Sequence, residues 1–121
     1  MPHGREVIYA STATTATHSL PVNLPPARGV ILLVDVTAET DTAVVTPSIQ
    51  VKDGNDDWVD IWTAAAAISA TGNYSYAFYP AMLNGNFTEV DGIMLPDTFR
   101  ITFTHADADS LTYSVVALWL R

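Results

Sequence analysis

The stretch Thr98-Phe99-Arg100-Ile101-Thr102-Phe103-Thr104, the turn His105-Ala106-Asp107-Ala108-Asp109-Ser110 and the return Leu111-Thr112-Tyr113-Ser114-Val115-Val116-Ala117-Leu118-Trp119-Leu120 decide the fold. In the first arm Phe99, Ile101 and Phe103 alternate with Arg100, Thr102 and Thr104, the period of two that gives a strand one buried and one wet face. The return alternates as well, with Leu111, Tyr113, Val115, Ala117 and Trp119 on one face. Val116, Leu118 and Leu120 make its other face apolar towards the end, so these residues are expected to be covered on both sides, by the body or by another subunit.

Upstream, Val30-Ile31-Leu32-Leu33-Val34-Asp35-Val36-Thr37-Ala38 is nearly continuous and β-branched, the pattern of a central strand covered on both faces. Residues 44–52 form another strand, in which Pro47 marks an edge or a bulge because it cannot donate to a ladder. The turn chemistry of Asp53-Gly54-Asn55-Asp56-Asp57 joins it to Trp58-Val59-Asp60-Ile61-Trp62 as a hairpin. Residues 63–70 are alanine-rich but too short for a stable helix; a strand or loop is expected, with room for one helical turn. Tyr74-Ser75-Tyr76-Ala77-Phe78-Tyr79 is an aromatic strand stopped by Pro80, and 81–96 reads as a long loop. Short strands separated by turn residues, with no amphipathic helix, predict an all-β chain folded as an antiparallel β-sandwich, jelly-roll or immunoglobulin-like.

Residues 1–27 differ in character from the sandwich domain expected over 28–121. One short strand, Glu6-Val7-Ile8-Tyr9, precedes a Thr/Ala run without apolar period, and prolines at 21, 25 and 26 favour an extended path. The segment reads as an extended N-terminal arm, laid on a partner or along its own domain. Val7, Ile8, Tyr9, Leu20, Val22 and Leu24, with Leu118 and Leu120 of the last strand, are the candidate interface residues.

The chain of 121 residues has 13 acids against 5 bases, a net charge of −8. That balance argues against a nucleic-acid binder, which needs clustered Lys and Arg; Arg5, Arg28, Lys52, Arg100 and Arg121 are scattered along the sequence. No apolar run approaches the roughly 20 residues of a membrane helix, and the N-terminus lacks the basic and apolar blocks of a signal peptide. Without cysteine there is neither a disulfide framework nor a thiolate metal site, which fits assembly inside a cell better than secretion.

No residue set makes a catalytic signature, so the chain is expected not to be an enzyme and to need no cofactor. Asp53, Asn55 and Asp57 have the alternation of a calcium loop, but Trp58 stands where a Gly is needed and Ala64 where a bidentate Glu belongs, so a turn is the better reading. His105 with Asp107 and Asp109 similarly reads as turn capping rather than a metal site. Trp58, Trp62, Tyr74, Tyr76 and Tyr79 are candidates for a sugar-stacking platform, set against core and interface roles for the same rings.

The runs Gly29-Val30-Ile31-Leu32-Leu33-Val34-Asp35-Val36-Thr37-Ala38, Ile49-Gln50-Val51-Lys52-Asp53, Ile68-Ser69-Ala70-Thr71-Gly72, Tyr79-Pro80, Leu95-Pro96-Asp97-Thr98-Phe99-Arg100-Ile101 and Thr112-Tyr113-Ser114-Val115 resemble a group of small structural proteins of tailed bacteriophages. The likeness covers about residues 28–121. It implies a virion component on the outer surface of the head, assembled in the host cytoplasm: a decoration (cement) protein, commonly a homotrimer, that binds across major capsid protein subunits. A tail or head-completion protein, or a carbohydrate- or receptor-binding module, is the alternative.

Overall fold

Alternation of branched or aromatic residues with polar ones builds nine strands in the computed structural model, which describes residues 3–23, 29–40, 42–79, 87–93, 95–96, 98–106 and 109–120, with the backbone alone of His3 and Leu120. The strands are β1 (His3–Thr14), β2 (His18–Asn23), β3 (Gly29–Glu39), β4 (Val45–Lys52), β5 (Trp58–Thr63), β6 (Gly72–Phe78), β7 (Glu89–Asp91), β8 (Thr98–His105) and β9 (Leu111–Leu120). There is no helix among the described residues, and 64–70 form a loop held by an isolated bridge between Val45 and Ile68 and by hydrogen bonds from Ala65 N to the Glu89 carboxylate.

A five-stranded sheet in the order β1-β9-β3-β6-β7 packs against a four-stranded sheet in the order β2-β8-β4-β5. The chain is a β-sandwich, as the alternation predicts. Its pairing is nested: β1 with β9, β2 with β8, β3 with β6 and β4 with β5, all antiparallel. An immunoglobulin-type sandwich keeps its first two strands in one sheet, whereas here β1 and β2 enter opposite sheets, so the order is that of a jelly roll. Short β7 departs from the antiparallel rule by running parallel to β6.

The nested pairing lays residues 3–23 along their own domain, one of the two placements the sequence leaves open for the arm. β1 follows β9 from His3 opposite Leu120 to Thr14 opposite Leu111, and β2 follows β8 from His18 opposite Phe103 to Asn23 opposite Thr98. They supply one edge strand to each sheet. Pro21 is tolerated because β2 is an edge, where a missing N–H costs no ladder bond. Leu24, Pro25 and Pro26 lie outside the described residues.

The core fills the space between the sheets with Val30, Leu32, Val34 and Val36 of β3, Tyr76 and Phe78 of β6, and Tyr113 and Val115 of β9. Opposite them stand Ile49 of β4 and Phe99, Ile101 and Phe103 of β8. Phe103 is fully buried and Trp119 is half-buried, its indole lying where a Cβ at Gly4 would sit. The expectation that β3 is covered on both faces fails: Leu33 is 37% exposed and Asp35 is exposed, because no further layer of described residues lies over this side. Pro47 sits in a central strand but at the point where β5 leaves the sheet. Its carbonyl still accepts from Ala64 N at 3.0 Å, and the N–H it lacks would face the same vacated side.

Candidate functional site

The carboxylate clusters resolve into turns. Asp53 Oδ1 accepts from Asn55 N at 2.8 Å and from Asp57 N at 3.0 Å, and Asp56 takes a positive φ of 62°, so the segment is a capped hairpin turn. Asp109 Oδ2 accepts from the backbone N and Oγ1 of Thr42 at 3.2 and 3.0 Å, which ties the β8–β9 turn to the loop after β3. Asp107 lies outside the described residues, among which no group of three His, Cys, Asp or Glu has metal-binding geometry.

His18 is half-buried against Tyr113: the rings stack at 5.9 Å between centroids, and Tyr113 Oη lies 3.3 Å from His18 Nε2 and 3.2 Å from His105 Nε2. Tyr9 and Phe103 close the cluster at 5.1 and 5.6 Å from the His18 ring. Burial, then the neighbouring Tyr9, push the Tyr113 phenol well above its ordinary pKa, against a smaller opposing effect of Thr14. A phenol held neutral in this way is a hydrogen-bonding hub joining β2, β8 and β9, not a base or nucleophile at neutral pH.

The five aromatics considered for a sugar platform separate. Trp62 is 8% exposed and meets Phe78 edge-on at 4.8 Å and Tyr76 at 5.4 Å, inside the core. Tyr76 is buried, and its hydroxyl has no hydrogen-bond partner among the described residues. Burial, then Glu89 and Tyr74, raise its pKa. Tyr74 and Tyr79 are half-buried. Only Trp58 is open, at 36% exposure, on the outer face of the four-stranded sheet. On the same strand an extra residue, Ile61, interrupts the ladder between Trp62 (opposite Ile49) and Asp60 (opposite Gln50), and this bulge turns Trp58 and Trp62 to opposite faces.

The outer face of the five-stranded sheet carries an apolar row instead. Val7 of β1, Val116 of β9 and Leu33 of β3 are cross-strand neighbours, with Leu118 opposite Ile31 in the next row. Val7 is 54% and Leu33 37% exposed, and the other three are half-buried. Of the interface candidates, Val7 and Leu118 thus lie on one outward surface. Ile8, Tyr9 and Leu20 instead pack on the chain's own core and Val22, 2% exposed, is part of it, because β1 and β2 are strands of the roll. Leu24 and the Leu120 side chain lie outside the described residues.

No protein-family model matches the chain, and no curated protein matches it. No helix among the described residues is long and apolar enough to cross a membrane.

Proposed function

We propose that this chain is a non-enzymatic structural protein of a tailed-phage virion, a decoration protein that stabilises the head by binding across neighbouring copies of the major capsid protein, itself as a homotrimer. The observation that carries the reading is the apolar row Val7, Val116 and Leu33 with Ile31 and Leu118, contiguous over three strands of a rigid sheet. Exposed apolar surface gathered in one patch is what a protein-binding face requires. Two further supports are the phage-protein likeness of residues 28–121 and, by analogy, the jelly roll itself, an architecture shared by viral capsid and lectin domains. The net charge of −8 suits a protein that must not adhere to the packaged nucleic acid.

The test is co-sedimentation of the full chain with purified phage heads, tails and empty shells, beside the double variant Val7→Ser/Leu33→Ser. Binding to heads that weakens about tenfold or more in a folded double variant is the expected result. Retention on tails alone, no attachment to any particle, or attachment indifferent to the variant overturns the decoration reading. Sedimentation of the free and the released protein as monomer only overturns the trimer.

A further inference from the structure

We propose that the outer face of the four-stranded sheet around Trp58 binds a neutral pyranose sugar. The Trp58 ring does not stand away from the sheet. It lies against Arg100, whose Cζ is 4.0 Å from the ring centroid, with Lys52 Nζ at 5.4 Å. Arg100 belongs to β8 and Trp58 to β5, with β4 between them, so the indole and the guanidinium meet over the middle strand. The indole, 36% exposed, offers an apolar plate at this surface. The C–H face of a pyranose stacks on such a plate, while the hydroxyls at its rim need donors and acceptors.

The rim comes from one chain of side chains. Gln50 Oε1 accepts from Arg100 Nε at 2.6 Å and from Thr102 Oγ1 at 3.1 Å, while Gln50 Nε2 donates to Asp60 Oδ1 at 2.7 Å. These bonds orient Arg100 and Asp60 but leave the terminal guanidinium N–H groups and Asp60 Oδ2 without a hydrogen bond to a described residue. A donor fork beside a carboxylate suits vicinal hydroxyls, each of which both donates and accepts. Next to the ring lies a cleft of about 600 Å³, lined by Val51, Lys52, Trp58, Ile61, Pro96 and Thr98. That volume falls within the range of small-molecule sites.

Charge selects the occupant. Lys52 and Arg100 beside the ring are offset by Asp60 and by the adjoining turn with Asp53, Asp56 and Asp57, so the face has no excess of positive charge to favour a phosphate or carboxylate ligand. A wholly apolar partner would strip water from Arg100, Lys52 and Asp60 without replacing their hydrogen bonds. A neutral sugar does neither. The site faces away from Val7 and Leu33, on the other side of the sandwich, so it stays open when that surface is covered and stands or falls independently of the virion reading.

The experiment is an array of neutral and acidic oligosaccharides probed with the full chain. Isothermal titration with the strongest neutral binder follows, with acrylamide quenching of tryptophan fluorescence in its presence and absence. The expected results are binding of a neutral pyranose-containing glycan, protection of the exposed indole from quencher, and an affinity loss of about tenfold or more in Trp58→Ala and in Asp60→Ala. Asp60→Ala leaves the ring in place, so it decides the matter if Trp58→Ala fails to fold. Binding of no glycan, binding of acidic glycans alone, or binding that survives in Asp60→Ala overturns the proposal.

Discussion

Deleting residues 1–23 should abolish the cooperative fold, although nothing in their composition resembles a core segment. Val22 is fully buried and Ile8, Tyr9 and Leu20 are half-buried against the core. At about 1.5–3 kcal/mol for a fully buried aliphatic or aromatic side chain and roughly half that for the others, these four contribute on the order of 5 kcal/mol. A whole domain is stable by only about 5–15 kcal/mol. The deletion also uncovers one side of Phe103 and Tyr113 and frees the ladder groups of β8 and β9. The assay is guanidinium unfolding of residues 24–121 followed by circular dichroism, with Val22→Asp in the full chain as a version that leaves the length unchanged. The expected outcome is no cooperative transition in the truncated chain and a markedly lower midpoint in Val22→Asp. A truncated chain that keeps a β-type spectrum and melts within a few degrees of the parent would refute the reasoning, and would return residues 1–27 to the status of an arm.

Phe103→Ala should lose about 3–5 kcal/mol, because Phe103 is fully buried among His18 and Tyr113. In calorimetry that corresponds to a midpoint lower by roughly 10–20 °C for a domain of this size. Gly72 has φ of 144°, a conformation that side chains rarely adopt, so Gly72→Ala should cost about 1–3 kcal/mol in denaturant unfolding at an unchanged slope. The phenols of Tyr76 and Tyr113 are raised well above 10 in the folded chain, so above pH 10 the unfolded chain releases protons that the folded chain keeps. The contribution of these two phenols to stability should therefore be constant below pH 10 and fall above it, by up to about 1.4 kcal/mol per pH unit for each phenol. Absorbance titration should show these two tyrosines ionising only as the chain unfolds.

The parts of the fold legible in the sequence are those where side chains alternate without interruption. Phe99, Ile101 and Phe103 point inwards as their spacing requires, as do Leu111, Tyr113, Val115 and Ala117, and the Asp53–Asp57 turn is visible in its residue types. Bulges hide the rest. Val7 and Tyr9 share a parity, yet Ile8 is an extra residue in β1, so one side chain faces outwards and the other the core. Ile61 does the same between Trp58 and Trp62, which is why the exposed ring could not be picked from the buried one by counting. The Thr/Ala run gives no period at all, and only the free side of β9 shows where β1 belongs. The near-continuous Val30 to Val36 run suggested cover on both faces, because an outward apolar row looks the same in sequence as a buried one.

The pairing of β1 with β9 also sets an order in time. As the chain is synthesised, β1 and β2 emerge first, but their partners β9 and β8 come from the far end of the sequence. The early segment must wait while the inner pairs, β4 with β5 and β3 with β6, have already found each other, and closing so long a loop is slow. A waiting strand is exposed to pairing with strands of other nascent chains. The Ser/Thr/Ala composition of residues 10–17 lowers that hazard, since a short segment without large apolar side chains makes a poor template for stacking. The same lack of apolar period that obscures β1 in the sequence thus keeps it available until the last strand arrives.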